Sequence, residues 1–297
     1  MSNFRGLLPA ALTPMHPNGD IDLDTVATQA EYFKGVGAAG VFMNGTTAEW
    51  SSLTVDERKS LTKAWATQGG TELPVIAHVG HHCQRDAISL AEHAAECGVF
   101  GVSVIAPSYF IMETAQDIVD WCAPIAAAAG DLPFYYYDLP QLSGITIPAF
   151  DVISLAKEQI SSFAGLKYSG TNLEGLQRCV GLGDYDVFWG SDENLLVGLS
   201  LGCKAGVGST YNLALPHYLR LLNAFNSGDI ESARRLQTVS LRMVDLMAPH
   251  GVIPSLKAAQ GMTGFDVGEC RLPFKSLSDD AASELIDGLS TLGIVES

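Results

Sequence analysis

Lys167 is the residue of this sequence whose type and position most clearly indicate a chemical role. It ends the mostly apolar stretch SSFAGLK (161–167), although lysine is rarely buried without a partner. Desolvation at such a position lowers the pKa of an amine, and the neutral amine can attack a ketone to form a Schiff base. The position alone equally allows a structural lysine that pairs with Asp192 or Glu193.

Tyr137 is the second candidate, because a phenol beside an imine can move a proton to and from a substrate hydroxyl. It lies in LPFYYYD (132–138), where strand alternation places Tyr135 and Tyr137 on one face and Tyr136 on the other. Some of these tyrosines must therefore fill the core, and Tyr137 itself could be one of them.

Short apolar stretches alternate with longer helical patterns along the chain, which predicts βαβ units and a parallel sheet. Eight such units are typical of a (β/α)8 TIM barrel. We predict one domain over 1–297, with the barrel at 1–226 and a C-terminal helical extension at 227–297. Pro124 is expected to kink or shorten its helix. The predicted strands are 5–12, 39–45, 73–80, 101–107, 132–138, 161–167, 186–190 and 205–210.

Polar side chains follow several of these strands, and the downstream strand ends of a barrel converge on one face. The Gly45-Thr46-Thr47 turn could offer amides and hydroxyls to a carboxylate, or it could cap the next helix. With Lys167 and Tyr137, the mouth is expected to gather Thr46, Thr47, Ser169, Gly190, Asp192, Glu193 and Ser209.

The last of these residues also have structural explanations. Asp192 and Glu193 could accept hydrogen bonds from a polyol, or they could be an acidic pair at a helix N-terminus. Gly208-Ser209-Thr210 could be a tight turn or a site for a substrate oxygen.

Composition excludes several classes of function. A formal net charge of −16 disfavours nucleic acid and anionic membranes as partners. The first residues lack the pattern of a signal peptide, and no apolar run is long enough to span a membrane. Six scattered cysteines indicate reduced thiols in a cytoplasmic protein.

Other catalytic patterns are weak. His78-Val79-Gly80-His81-His82 has no acidic residue at ligand spacing, so we expect no metal site. A Gly-x-Gly-x-x-Gly motif is absent, and no Ser-His-Asp arrangement can be assembled at the strand ends.

The sequence resembles the pyruvate-dependent class I aldolases, the family of dihydrodipicolinate synthase and N-acetylneuraminate lyase, from about residue 4 to about residue 275. Four motifs carry the resemblance: Thr46-Thr47 with Glu49, Tyr137 before Pro140, Gly165-Leu166-Lys167 and Gly208-Ser209-Thr210. Leu142 stands where the synthases typically have an arginine for a dicarboxylic substrate, which favours the lyase branch.

The resemblance implies that Lys167 forms an imine with a 2-keto acid and that Tyr137 moves the proton at the C4 hydroxyl. Thr46 and Thr47 would bind the pyruvate carboxylate. The implied reaction cleaves N-acetylneuraminate reversibly to N-acetylmannosamine and pyruvate, without metal or cofactor. A homotetramer is also implied, in which Tyr109 reaches the neighbouring subunit's site. The sugar would be bound by Ser169, Gly190, Asp192, Glu193 and Ser209.

Three residues depart from the family pattern: Ala48 and Trp50 in the GTTAEW turn, and Asp138 beside Tyr137. The Ala48 methyl group could narrow the carboxylate site, and Asp138 adds a negative charge near an anionic substrate. They leave open another 2-keto-3-deoxy sugar acid as the substrate of an aldolase or dehydratase. A barrel that binds a keto acid without catalysis is a remote alternative.

Overall fold

Eight parallel strands form one sheet, in the order β1-β8-β7-β6-β5-β4-β3-β2, in a computed structural model that describes residues 4–295. Each strand lies within or close to one of the predicted stretches. The strands are β1 (Gly6–Pro9), β2 (Val41–Met43), β3 (Val75–His78), β4 (Gly101–Ile105), β5 (Phe134–Asp138), β6 (Phe163–Tyr168), β7 (Asp186–Trp189) and β8 (Ala205–Gly208).

The sheet closes between β1 and β2. The amide of Ala39 donates to Leu7 O at 2.9 Å, the amide of Ala11 donates to Phe42 O at 2.9 Å, and Ala10 forms a parallel bridge with Phe42. Closure removes the two free edges that an open sheet would leave. The predicted (β/α)8 TIM barrel is confirmed.

Helices follow the strands and surround the barrel. Of the kink or shortening expected at Pro124, the shortening is wrong, because helix α4 (Ala115–Ala128) continues through Pro124; the kink stays a prediction. The backbone leaves helical geometry in α9 (Tyr211–Asn226) at Ala214, two residues before Pro216. The helices are α1 (Leu23–Gly35), α2 (Val55–Gly69), α3 (Gln84–Cys97), α4 (Ala115–Ala128), α5 (Pro140–Ser143), α6 (Ala149–Gln159), α7 (Leu173–Gly181), α8 (Leu195–Ser200), α9 (Tyr211–Asn226), α10 (Ile230–Met247), α11 (Val252–Ala259) and α12 (Asp279–Thr291).

Strand alternation divides the buried apolar residues into two clusters. The inner cluster fills the barrel and includes Tyr135 and Tyr137, whereas Tyr136 belongs to the outer cluster between barrel and helices. The predicted alternation in FYYYD is therefore confirmed. Lys167 pairs in register with Tyr137 on β5 and Phe188 on β7, both of the inner cluster.

The chain continues after α9 as the predicted helical extension. Helix α10 packs against α9, and α11 and α12 pack against each other and against α10. The division at 226/227 stays our interpretation of the sequence. No helix within residues 4–295 is both long and apolar enough to cross a membrane.

Candidate active site

Lys167 lies inside the barrel mouth and is 5% exposed. Its Nζ atom is 3.9 Å from the ring centroid of Tyr137 and 4.0 Å from that of Phe42. Burial lowers the pKa of Lys167, opposed more weakly by interactions with Tyr137 and Asp192. Within residues 4–295 Lys167 forms no ion pair with a carboxylate, so the structural pairing with Asp192 or Glu193 is not observed. The amine is therefore available for chemistry.

Tyr137 joins the lysine to the turn after β2. Its hydroxyl oxygen lies 3.4 Å from Oγ1 of Thr46, and its ring meets Phe42 edge-on at 5.9 Å between centroids. A phenol in contact with both a hydroxyl and an amine can pass a proton to a substrate oxygen placed between them.

The turn after β2 closes on itself through backbone hydrogen bonds. The Ala48 amide donates to Gly45 O at 3.1 Å, and the Glu49 amide donates to Thr46 O at 3.0 Å. This turn does not cap the next helix, because Thr54 caps α2 and forms a capping box with Glu57. The hydroxyls of Thr46 and Thr47 are therefore not used to cap α2.

Strand β8 contributes Ser209 beside this turn. Its Oγ atom is 2.7 Å from Oγ1 of Thr47, so the structure brings together two predicted binding residues 162 positions apart. Together with Lys167 and Tyr137, these hydroxyls line one side of the mouth.

Asp192 and Glu193 follow β7 and differ in environment. One carboxylate oxygen of Asp192 accepts from the amide and from Oγ1 of Thr210, both at 2.6 Å, and burial raises the pKa of Asp192 to about 6. Glu193 is half-buried and accepts from Oγ of Ser191 at 2.7 Å. Asp192 thus fixes the start of α9 as well as facing the site, a role that sequence reasoning missed.

Gly190 and Ser169 lie close together just after β7 and β6. The Gly190 amide donates to Tyr168 O at 2.8 Å. A Cβ atom added at Gly190 would lie 2.1 Å from Oγ of Ser169. Only glycine leaves the serine hydroxyl its present position.

A cavity of about 320 Å³ opens beside Thr46 and contains Leu142 in its wall. The Leu142 side chain is 60% exposed. Trp50 forms another wall, and the guanidinium of the fully buried Arg58 lies 5.3 Å from its ring centroid. The Trp50 ring therefore gives this cavity an aromatic wall.

Tyr109 lies elsewhere in this chain, on the loop after β4. It is 87% exposed, has a left-handed backbone with φ of 25°, and its ring contacts Phe110. It lines a second cavity of about 370 Å³. The structure does not bring Tyr109 together with the other predicted residues within one subunit.

Asp138 lies on the outer face of β5, together with Tyr136 rather than Tyr137. Burial raises its pKa to about 7, and its charge acts on Tyr136, Tyr168 and Cys179. Its carboxyl therefore faces the helix layer, away from the amine, and the expected negative charge near the substrate is reduced.

His78 ends β3, and His81 and His82 follow it. The Nδ1 atom of His78 lies 2.9 Å from Asn44 O, and burial holds the pKa of His78 well below its usual value. Across residues 4–295, no group of three His, Cys, Asp or Glu side chains has the arrangement of a metal site.

Sequence reasoning also missed three supporting contacts. Phe42 faces Lys167, and strand alternation in AGVFMNG could have placed it inward. Gln237 binds the Asp192–Glu193 turn, and Lys257 pairs with Glu49. No local signal indicates the last two, because each joins segments that are distant in sequence.

Residues 3–292 match the Dihydrodipicolinate synthetase family, and the chain belongs to this family. It is 40% identical to N-acetylneuraminate lyase of Danio rerio over 281 residues, 92% of this chain and 91% of that protein.

Solved structures agree. N-acetylneuraminate lyase (sialic acid aldolase) of Aliivibrio salmonicida is 30% identical, with a TM-score of 0.97 over 100% of this chain and 99% of that one. Dihydrodipicolinate synthase DapA-2 of Bacillus anthracis is 25% identical, with a TM-score of 0.91 over 98% of this chain and 99% of that one. The predicted resemblance to this family is confirmed.

Proposed function

We propose that this chain is a Schiff-base class I aldolase that cleaves N-acetylneuraminate reversibly to N-acetylmannosamine and pyruvate. The observation that carries the proposal is the buried amine of Lys167, held between the rings of Phe42 and Tyr137 with a lowered pKa. An amine that is neutral for part of the time at physiological pH can attack a ketone. The likeness to N-acetylneuraminate lyases over most of the chain supports the choice of substrate.

The proposed reaction uses two groups, the amine of Lys167 and the hydroxyl of Tyr137. Lys167 attacks the C2 keto carbon of the open-chain sugar acid and loses water to form an iminium ion. Tyr137 takes the proton of the C4 hydroxyl as the C3–C4 bond breaks, and the electron pair of that bond moves toward the iminium nitrogen. N-acetylmannosamine leaves as the aldehyde. Tyr137 then returns this proton to C3 of the enamine, and hydrolysis of the imine releases pyruvate and free Lys167. Because the imine is the electron sink, no metal or cofactor is required.

Two groups of residues in the mouth bind different parts of the substrate. Thr46 and Thr47, with the amides of their turn, bind the carboxylate of the pyruvate part, which the net charge of −16 would otherwise repel. The hydroxyl chain of the sugar is bound by Ser169, Gly190, Asp192, Glu193 and Ser209. Asp192 offers the sugar only the oxygen that Thr210 leaves free.

Leu142 supports a sugar acid over a dicarboxylic substrate. Its exposed apolar side chain in the mouth cannot replace a guanidinium group that pairs with a second carboxylate. A second candidate function keeps the imine and changes the substrate to another 2-keto-3-deoxy sugar acid; it is favoured by the presence of Trp50 in the same cavity.

The loop after β4 supports the assembly into a homotetramer. Tyr109, Phe110 and Ile111 are large, exposed and adjacent, and such a patch is typical of a subunit interface. In the tetramer Tyr109 would complete the site of a neighbouring subunit. Six free thiols support a location in the reducing cytoplasm.

Pyruvate release tests the substrate. The protein is incubated separately with N-acetylneuraminate and with 2-keto-3-deoxy sugar acids that lack the N-acetyl group, and pyruvate is measured. We expect kcat/KM to be highest for N-acetylneuraminate. Faster release from a keto-deoxy acid would establish the second candidate, and no release from any of them would leave only a binding protein.

A further inference from the structure

Glu49 and Lys257 form an ion pair that lies entirely inside the protein. Lys257 Nζ is 2.8 Å from Oε1 of Glu49, and the two side chains are 2% and 0% exposed. Lys257 belongs to α11 of the C-terminal extension, whereas Glu49 ends the turn that carries Thr46 and Thr47. The pair therefore joins the extension directly to the turn proposed to bind the substrate carboxylate.

Further contacts from the extension fix both partners. Lys257 Nζ donates to Glu269 O at 2.8 Å, and the second oxygen of Glu49 accepts from the Arg271 amide at 2.9 Å. The Glu49 carboxylate is thus held from two sides by residues more than 200 positions away. Such a multiply bonded carboxylate has little freedom to move.

The backbone of Glu49 explains why such fixing is needed. Its φ of 57° and ψ of 36° lie in the left-handed region, which is unfavourable for a non-glycine residue. In this conformation its amide reaches Thr46 O and closes the turn. Released from its side-chain contacts, Glu49 would relax toward a more favourable conformation and the threonine hydroxyls would shift.

A buried ion pair is an inefficient way to gain stability, because desolvation offsets most of the attraction; such pairs are better suited to fixing one arrangement. Pairing with Lys257 also neutralises the charge of Glu49, which has a second consequence. An unpaired Glu49 carboxylate beside the turn would repel the carboxylate of the substrate.

We propose that Glu49 and Lys257 are positioning residues for the pyruvate part of the substrate, so that the C-terminal extension controls how tightly the barrel binds pyruvate. The proposal rests on the function proposed above. It predicts that breaking the pair weakens pyruvate binding and leaves the binding of N-acetylmannosamine unchanged.

The chain offers a matched control. Arg271 and Glu57 form a second ion pair, each with 21% of its side chain exposed, which attaches the same segment to the start of α2. Glu57→Gln weakens this attachment without touching the Glu49 side chain. A general loosening of the extension would therefore affect this variant as well.

The experiment compares the wild type with Lys257→Met, Glu49→Gln/Lys257→Met and Glu57→Gln. Pyruvate is titrated with borohydride present, and the concentration that gives half-maximal labelling of Lys167 is read by mass spectrometry; KM for N-acetylmannosamine and Tm are measured beside it. Lys257→Met leaves an orphan buried charge and is expected to unfold at lower temperature. The double variant keeps both side-chain shapes without that charge, so it tests the same contact in a protein that folds.

We expect half-maximal labelling to need about tenfold more pyruvate in both Lys257 variants, with less than about twofold change in KM for N-acetylmannosamine and in the Glu57→Gln control. An unchanged pyruvate requirement in the folded double variant overturns the inference, and so does an equal rise in the Glu57→Gln control. Failure of pyruvate to label the wild type at all would instead refute the proposed function.

Discussion

The C-terminal extension holds two turns of the barrel mouth, one through an ion pair and the other through a neutral amide. The Gly45–Glu49 turn is held by charge, through the buried pair of Glu49 and Lys257. The Asp192–Asn194 turn is held by a neutral amide, because Gln237 of α10 donates to Glu193 O at 2.7 Å and to Asp192 O at 3.3 Å.

The difference matches what each turn has to bind. A lysine in the place of Gln237 would pair with Asp192 or Glu193 and withdraw a carboxylate from the sugar hydroxyls. The amide holds the backbone and forms no hydrogen bond with these two side chains. On the other side a carboxylate near the substrate anion must be neutralised, and Lys257 does so. One extension thus contacts both the turn proposed to bind the substrate carboxylate and the turn proposed to bind the sugar hydroxyls.

The largest expected effect comes from removing Lys167, because the proposed use of both turns depends on its amine. Lys167→Ala should lower kcat/KM for N-acetylneuraminate by about four orders of magnitude or more, because no imine can form. Borohydride with pyruvate should add no mass to this variant. Lys204→Ala removes an exposed lysine and is the control. If borohydride and pyruvate labelled another lysine of folded Lys167→Ala protein, the imine would form at a different site, away from both turns.

Tyr137→Phe should have the next largest effect and should separate chemistry from binding. We expect kcat to fall about 10²- to 10³-fold because the proton acceptor is lost, while pyruvate still labels Lys167. Tyr136→Phe is the matched control, since that ring faces the outer cluster. Equal losses of kcat in the two variants would show that the Tyr137 hydroxyl has no specific role.

Gly190→Ala tests the hydroxyl-binding side alone. Its new Cβ would lie 2.1 Å from Oγ of Ser169 and 3.1 Å from Tyr168 O, so the serine must move. KM for N-acetylmannosamine should rise about tenfold at an unchanged pyruvate requirement for labelling. Gly181→Ala, where nothing lies within 4 Å of the new atom, is the control. A rise in the pyruvate requirement would contradict the division of the mouth into two sides.

Much of the fold and of the site could be predicted because the signals are local. Strand alternation placed Tyr137 inward, and the convergence of strand ends brought Thr47 and Ser209 to 2.7 Å. The contacts of Glu49 with Lys257, and of Gln237 with Glu193, could not be predicted, because they depend on how distant helices pack. The environment of Asp138 could not be predicted either, because it depends on what packs against the outer face of β5 and not on the neighbouring residue Tyr137.

Asp138→Asn should change catalysis least and should change how stability depends on pH. Burial raises the pKa of this carboxyl from 3.8 to about 7, so the folded state binds a proton more tightly than the unfolded state does. The contribution of Asp138 to stability should therefore fall as pH rises from about 4 to about 7 and level off above, by on the order of 4 kcal/mol in total. Asparagine carries no such proton, so the difference in unfolding free energy between variant and wild type should grow across this range. Urea unfolding at pH 5, 6, 7 and 8 measures it, with the exposed Asp131→Asn as control. A constant difference would show that Asp138 is ionised throughout this pH range. Its negative charge would then contribute to the electrostatic potential at the turn proposed to bind the substrate carboxylate.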